Sequence, residues 1–137
     1  MIFADIPFRT QGDKIIITKN QTDWPFIKLP SVDGATFNGT YNLKAANNKT
    51  PSITFTTAGQ FTDNGAVKEL YHEYVDCLNP APASGSGTYQ VKDYTITFNY
   101  TDGRKINMAF LGAGYSKNNP SPATLRMSYN EDPMTRQ

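Results

Sequence analysis

The chain has 137 residues, a formal net charge of +1 and one cysteine, Cys77. This length fits one domain that buries a core without disulfides. The balance of basic and acidic residues excludes the broad positive surface that nucleic acids attract, and one cysteine permits neither an internal disulfide nor a thiolate zinc cluster. No run of residues is long and apolar enough for a membrane-spanning helix.

The first half of the chain predicts short strands separated by turns. Residues 1–8 suggest an edge strand or a flap, and the apolar segment 24–30 contains prolines, which favours an edge strand or irregular structure. Further strands are predicted at 14–19, with three consecutive isoleucines, at 37–43 and at 52–57. A polar, exposed loop is expected at 45–51.

Residues 65–78 interrupt the strand pattern. Their apolar residues recur at helical spacing and leave charged residues on the other side; they are Val67, Leu70, Tyr71, Tyr74, Val75 and Leu78. Asp63 or Asn64 is placed to cap the start. The pattern predicts one short helix near 66–78 that lies against the sheet or closes one end of a barrel.

The stretch Gly87–Leu111 predicts the main β-hairpin. Tyr94 to Tyr100 alternates apolar and polar residues, and alternation resumes from Lys105 to Phe110. Between them, Asp102 and Gly103 suit the positive φ angles of a tight hairpin connection. A long loop is expected over 112–123, then a last strand at 125–129 and a polar tail over 130–137.

The hairpin has an earlier echo. Gly39-Thr40-Tyr41 matches Gly87-Thr88-Tyr89, and Ile53-Thr54-Phe55 matches Ile96-Thr97-Phe98. Repeated up-and-down hairpins tend to close into a barrel, because closure removes exposed strand edges. The sequence therefore predicts a mainly β, antiparallel barrel of about eight strands with one helix, as a single domain over 1–137; a two-sheet β-sandwich is the alternative.

The run Gly85–Phe110, GSGTYQVKDYTITFNYTDGRKINMAF, resembles a motif of small lipocalin-like barrel domains in uncharacterised bacterial proteins, and Ile53–Gly65 resembles their first hairpin. The resemblance implies a lipocalin-like fold. Typical lipocalins carry Gly-x-Trp on the first strand, where this chain has Gly39-Thr40-Tyr41, so no ligand-transport residues are transferred. The domain could be the C-terminal part of a longer protein, in the periplasm or outside the cell if a leader precedes it and in the cytoplasm otherwise.

The predicted helix carries the chain's main cluster of chemically versatile side chains: Glu69, His72, Glu73 and Asp76. Two Glu-x-x-His segments on facing helices can bind a metal, but the chain has a single histidine. A hydrated surface is the favoured interpretation, and Cys77 fits a half-buried apolar position. No nucleophile motif accompanies His72, so we expect no catalytic residues, no metal and no cofactor.

The aromatic residues give the main functional hint. In a wide barrel the following residues would line a site for a small apolar ligand: Tyr41, Phe55, Tyr89, Tyr94, Phe98, Tyr100, Met108 and Phe110. In a narrow barrel the same side chains fill the core. The two resulting hypotheses are a non-enzymatic domain that binds a small hydrophobic ligand, and a structural or protein-interaction module with a filled core. A third, an enzyme that uses His72, is disfavoured. No nucleic-acid partner is expected.

Overall fold

The computed structural model describes residues 7–27, 31–44, 50–72, 83–111, 118–127 and 133–137. The chain divides into two compact units, Met1–Pro30 and Ser31–Gln137. The first contains a three-stranded sheet and the second a closed antiparallel barrel. The described strands and helix are β1 (Phe8–Gln11), β2 (Lys14–Lys19), β3 (Thr22–Ile27), β4 (Gly39–Asn42), β5 (Ser52–Phe55), β6 (Gln60–Asn64), α1 (Ala66–His72), β7 (Gly85–Lys92), β8 (Thr95–Tyr100), β9 (Lys105–Leu111), β10 (Thr124–Met127) and β11 (Met134–Arg136).

The barrel is an up-and-down meander of eight strands. Strands β4 to β11 pair in chain order, and β11 pairs with β4 to close the ring. Closure leaves no unpaired edge. The predicted β-barrel is therefore confirmed over the β-sandwich alternative, and the echo in the sequence corresponds to the successive meanders β4–β6 and β7–β9.

Alternation along the strands fills the barrel interior. Tyr89, Ile96 and Phe98 are buried, while their neighbours Gln90 and Asn99 are exposed. Gly87 in β7 admits no side chain, because an added Cβ would lie 1.9 Å from the backbone oxygen of Asn99. Burial of one face thus fixes the register of the main hairpin.

Helix α1 closes one end of the barrel. Ala66, Val67 and Leu70 are at most 1% exposed and belong to the hydrophobic core. The predicted helix near 66–78 is confirmed at 66–72, and residues 73–78 lie outside the described part of the chain.

The segment before β4 covers the opposite end, where β5 turns into β6. Phe37 is fully buried there, and its backbone N–H donates to the Tyr89 hydroxyl at 2.7 Å. Asn38 donates its backbone N–H to Pro120 and accepts a hydrogen bond from the Ser121 hydroxyl at 2.6 Å. Residues of α1 and of the segment before β4 therefore pack into the barrel core at its two ends.

The first unit is a meander of β1, β2 and β3 in that order. Two-residue turns connect its strands: Gly12 has a φ of +61°, and Asn20 and Gln21 have φ angles of 52° and 64°. Positive φ in such turns matches the right-handed twist of a hairpin. The predicted strand 14–19 is confirmed. Residues 24–27 of the proline-containing segment belong to β3 at an edge of this sheet, and residues 28–30 lie outside the described part of the chain.

Two predictions about single segments are wrong. The expected polar tail contains β11, and Met134 in it is fully buried. The alternation predicts Tyr94 in a strand, but Tyr94 lies with Asp93 in the two-residue turn between β7 and β8, where the φ angles are 50° for Asp93 and 58° for Tyr94. The β7–β8 register, in which Lys92 pairs with Thr95, leaves Asp93 and Tyr94 as the connection.

Candidate functional site

One face of the β1–β3 sheet presents large apolar side chains. Paired residues of neighbouring strands point to the same face of a sheet. Phe8 pairs with Ile17, Ile17 pairs with Trp24, and Ile15 pairs with Phe26. We call this surface the aromatic face, and it comprises Phe8, Thr10, Ile15, Ile17, Lys19, Thr22, Trp24 and Phe26.

The rings on the aromatic face are exposed. Phe8 is 68% exposed, Trp24 55% and Phe26 52%. Trp24 and Phe26 line an open depression of about 550 Å³ together with Ile17, Lys19, Asn20 and Thr22. Contiguous exposed apolar side chains with a polar rim mark binding surfaces more often than scattered ones do, and aromatic residues contribute strongly to binding energy.

The opposite face of the same sheet is mixed: it carries Ile16, which is buried, and the exposed Ile27, together with a hydrogen-bonded polar group. The Arg9 guanidinium donates to the Asp23 carboxylate at 2.7 Å, and the Thr18 hydroxyl donates to the other carboxylate oxygen at 2.6 Å. The hydrogen bond from Arg9 contributes most, and that from Thr18 next, to lowering the pKa of Asp23 below its usual value. The Arg9–Asp23 ion pair links β1 to β3 across β2. It therefore stabilises the arrangement of the three strands from the face opposite the aromatic face.

Most of the predicted ligand-lining residues lie together inside the barrel. Seven of them are at most 7% exposed: Tyr41, Phe55, Tyr89, Phe98, Tyr100, Met108 and Phe110. The eighth, Tyr94, is half-buried in the β7–β8 turn. Seven of the eight predicted residues therefore form one cluster in the barrel core. The packing of their side chains decides whether there is space for a ligand.

The rings of this cluster pack against one another. Phe55 lies 4.9 Å from Tyr89, 5.5 Å from Phe37 and 6.1 Å from Tyr41, measured between ring centroids. Phe61 lies 4.8 Å from Phe98. These separations are those of aromatic pairs in direct contact. Phe37 and Phe61, which complete the cluster, were not among the predicted lining residues.

A buried carboxylate joins the helix to the barrel wall. Asp63 is 2% exposed; it accepts the Tyr100 hydroxyl at 2.9 Å and the backbone N–H of Val67 at 3.2 Å. Burial raises the pKa of Asp63 above its ordinary value, although these hydrogen bonds act in the opposite direction. Burial is the larger cause that raises the pKa of the Tyr100 hydroxyl, and the negative charge of Asp63 is the next. The pair caps α1 and holds it to β8, which is a structural role.

Arg104 follows the β8–β9 turn, and its guanidinium is already engaged. It donates to Asp102 at 2.8 Å and to the Ala83 carbonyl at 2.6 Å, and its centre lies 4.0 Å from the centroid of the Tyr100 ring. These contacts tie the β8–β9 turn to the entry of β7. The side chain serves the turn rather than an incoming anion.

Glu69 is the member of the predicted charged cluster whose side chain is described, and it is exposed. The side chain of His72 and the residues Glu73, Asp76 and Cys77 lie outside the described part of the chain. Within the described ranges, no group of three or more histidine, cysteine, aspartate or glutamate side chains could hold a metal ion. The same residues include no helix with the length and hydropathy of a membrane span.

Comparisons with protein-family models, with curated proteins and with solved structures found no match to this chain. The aromatic face therefore has to be judged on its own geometry. Its sequence signal was present in the period-two spacing of Ile15 and Ile17 and of Trp24 and Phe26, on either side of a two-residue turn.

Proposed function

We propose that the protein is a non-enzymatic interaction module whose aromatic face binds an apolar segment of a partner polypeptide. We further propose that its barrel is a lipocalin-like domain of the kind found in bacteria, with a filled core. The single observation that carries the binding proposal is the exposure of Phe8, Trp24 and Phe26 on one sheet face. Exposed clustered aromatics are unfavourable in water unless a partner covers them.

The packing of the barrel supports this proposal over a ligand held inside. Aromatic rings contact one another across the interior, and the buried residues of α1 and Phe37 belong to the same hydrophobic core. The eight-stranded meander supports the lipocalin-like assignment, because up-and-down barrels of this size include the lipocalins. In barrels of this size side chains can fill the interior.

The test uses a matched pair of isoleucines. Ile15 is 45% exposed on the aromatic face and Ile27 is 63% exposed on the opposite face. Random twelve-residue peptides displayed on phage are selected against the purified protein, and affinities are measured by the fluorescence of Trp24, the only tryptophan. We expect Ile15→Thr to weaken the selected peptides about tenfold and Ile27→Thr to change them less than about twofold.

Three outcomes would contradict the proposal. No peptide is selected, or both isoleucine variants lose affinity equally, or neither variant does. The same fluorescence measurement with vesicles of equal parts phosphatidylcholine and phosphatidylglycerol tests a membrane as the occupant instead. A blue shift of Trp24 emission with vesicles that Ile15→Thr abolishes would replace the polypeptide partner by a lipid surface.

A further inference from the structure

The aromatic face adjoins a strand edge that can accept another strand. Among the described residues, β1 pairs only with β2. The turn between them pairs Gln11 with Lys14, and Arg9 pairs with Ile16. Hydrogen-bonded and non-hydrogen-bonded pairs alternate in antiparallel sheets. Since the turn makes Gln11 and Lys14 a hydrogen-bonded pair, Phe8 and Thr10 direct their N–H and C=O groups outward.

The other edge of the sheet is protected by proline. The Lys19–Thr22 pair flanks the second turn and is hydrogen-bonded in the same way. Because the pairs alternate along the strands, the Ile16–Pro25 pair is not hydrogen-bonded, and the backbone of Pro25 faces outward. Proline offers no N–H there, and proline on an edge strand discourages further pairing. The four residues of β1 are all exposed and include no proline. The two edges of this small sheet are therefore unequal, and β1 is the open one.

The size of the aromatic face limits its occupant. The flat footprint of the face follows from the strand dimensions. Three strands about 4.8 Å apart, each of at most six residues at about 3.4 Å per residue, cover a footprint on the order of 300 Å². A stable interface between globular proteins buries about 800 Å² on each partner. The face alone is too small for a globular partner or a second copy, whereas an added strand gains main-chain hydrogen bonds as well as side-chain contacts.

We propose that the polypeptide partner binds as an extended strand added to the outer edge of β1, with alternate apolar side chains that continue the aromatic face. This inference rests on the proposed function and specifies how the partner binds. Residues of the added strand opposite Phe8 and Thr10 exchange backbone hydrogen bonds with them. Every second side chain of the partner then points to the aromatic face, and the one opposite Phe8 lies in line with Ile17 and Trp24.

The experiment uses one synthetic peptide in three forms, titrated into the full chain and followed by Trp24 fluorescence. The parent peptide alternates valine and threonine over eight residues and has a lysine at each end. One isomer carries N-methyl groups on two valines and the other on two threonines. In an edge strand, the amides of alternate residues face the sheet. The valines should lie opposite Phe8 and Thr10, so we expect the threonine-methylated isomer to bind as the parent does and the valine-methylated isomer to bind at least about tenfold more weakly.

The protein side of the experiment changes Thr10. Thr10→Pro removes the outward N–H of β1 in the same way that Pro25 does on β3, while Thr10→Ala keeps the N–H and removes the side chain. We expect Thr10→Pro to abolish binding of the parent peptide and Thr10→Ala to retain it. If Thr10→Pro fails to fold, the comparison of the two N-methyl isomers decides by itself.

The outcomes separate this inference from the proposed function. If both isomers bind like the parent, or if phage-selected peptides bind and the parent peptide does not, strand addition is wrong while face binding stands. If no peptide binds the face, both fail. A dimer of the wild-type protein in sedimentation equilibrium that Thr10→Pro dissociates would replace the peptide by a second copy of the chain.

Discussion

At the scale of single residues, the buried carboxylate of Asp63 makes the sharpest prediction. Tyr100→Phe removes the hydroxyl that donates to Asp63 at 2.9 Å and keeps the ring beside Arg104. A hydrogen bond to an ionised group contributes about 1.5–3 kcal/mol. We expect the free energy of unfolding to fall by about that amount at neutral pH, measured by urea denaturation.

The pH dependence of this loss has a definite sign. Because burial raises the pKa of Asp63 in the folded protein, its ionisation destabilises the fold above that pKa, and the effect disappears as the pH falls below the unfolded value. Tyr100→Phe removes a bond that favours the ionised form, so the loss should be larger at about pH 7 than at about pH 4. In an Asp63→Asn background this difference should vanish. An equal loss at both pH values would contradict the assignment.

At the scale of strands and helices, alternation and turn chemistry allowed most of the barrel to be predicted. The run from Thr95 to Tyr100 alternates without interruption, and Asp102-Gly103 is a strong turn signal. The β7–β8 turn was missed because Asp93-Tyr94 contains no glycine, so a tyrosine with positive φ continued an apparent strand. Local propensity could not show this, since the register of the long hairpin imposes it.

The closing strand β11 was missed for a different reason. It has three residues and a single buried side chain, that of Met134, so no period of two is visible. Its pairing with β4 and β10 is long-range and decides its structure. The aromatic face was missed likewise, because alternation shows which residues share a face but not whether that face becomes buried.

Met134 tests whether β11 is part of the core. Met134→Ala should lower the free energy of unfolding by about 2–5 kcal/mol, because it removes a fully buried side chain and leaves a cavity. The exposed neighbour Thr135→Ala should change it by less than about 1 kcal/mol. Urea denaturation of both variants measures the difference. Similar values for the two would mean that these residues behave as the polar tail that their sequence suggests.

At the scale of the whole molecule, the two compact units divide the apolar residues differently. Among the described residues, the barrel unit buries most of its aromatic side chains around Phe55, whereas the first unit leaves Trp24 and Phe26 more than half exposed. Aromatic side chains occur in both units, but one unit contains a closed barrel and the other a three-stranded sheet with two edges. The first set packs inside the barrel, and the second set is the one that we propose binds a partner.

Phe55 provides the test of a filled core. Phe55→Ala removes a ring that is 1% exposed and should open an apolar cavity, and such cavities take up benzene. We expect benzene to raise the thermal midpoint of Phe55→Ala and not that of the wild-type protein, because only binding to the folded state stabilises. Native mass spectrometry of the wild-type protein should give the mass of the bare chain. A benzene-dependent rise in the wild type, or a small molecule retained on its native mass, would show that the barrel already holds a ligand cavity and would restore the hypothesis of a small hydrophobic ligand.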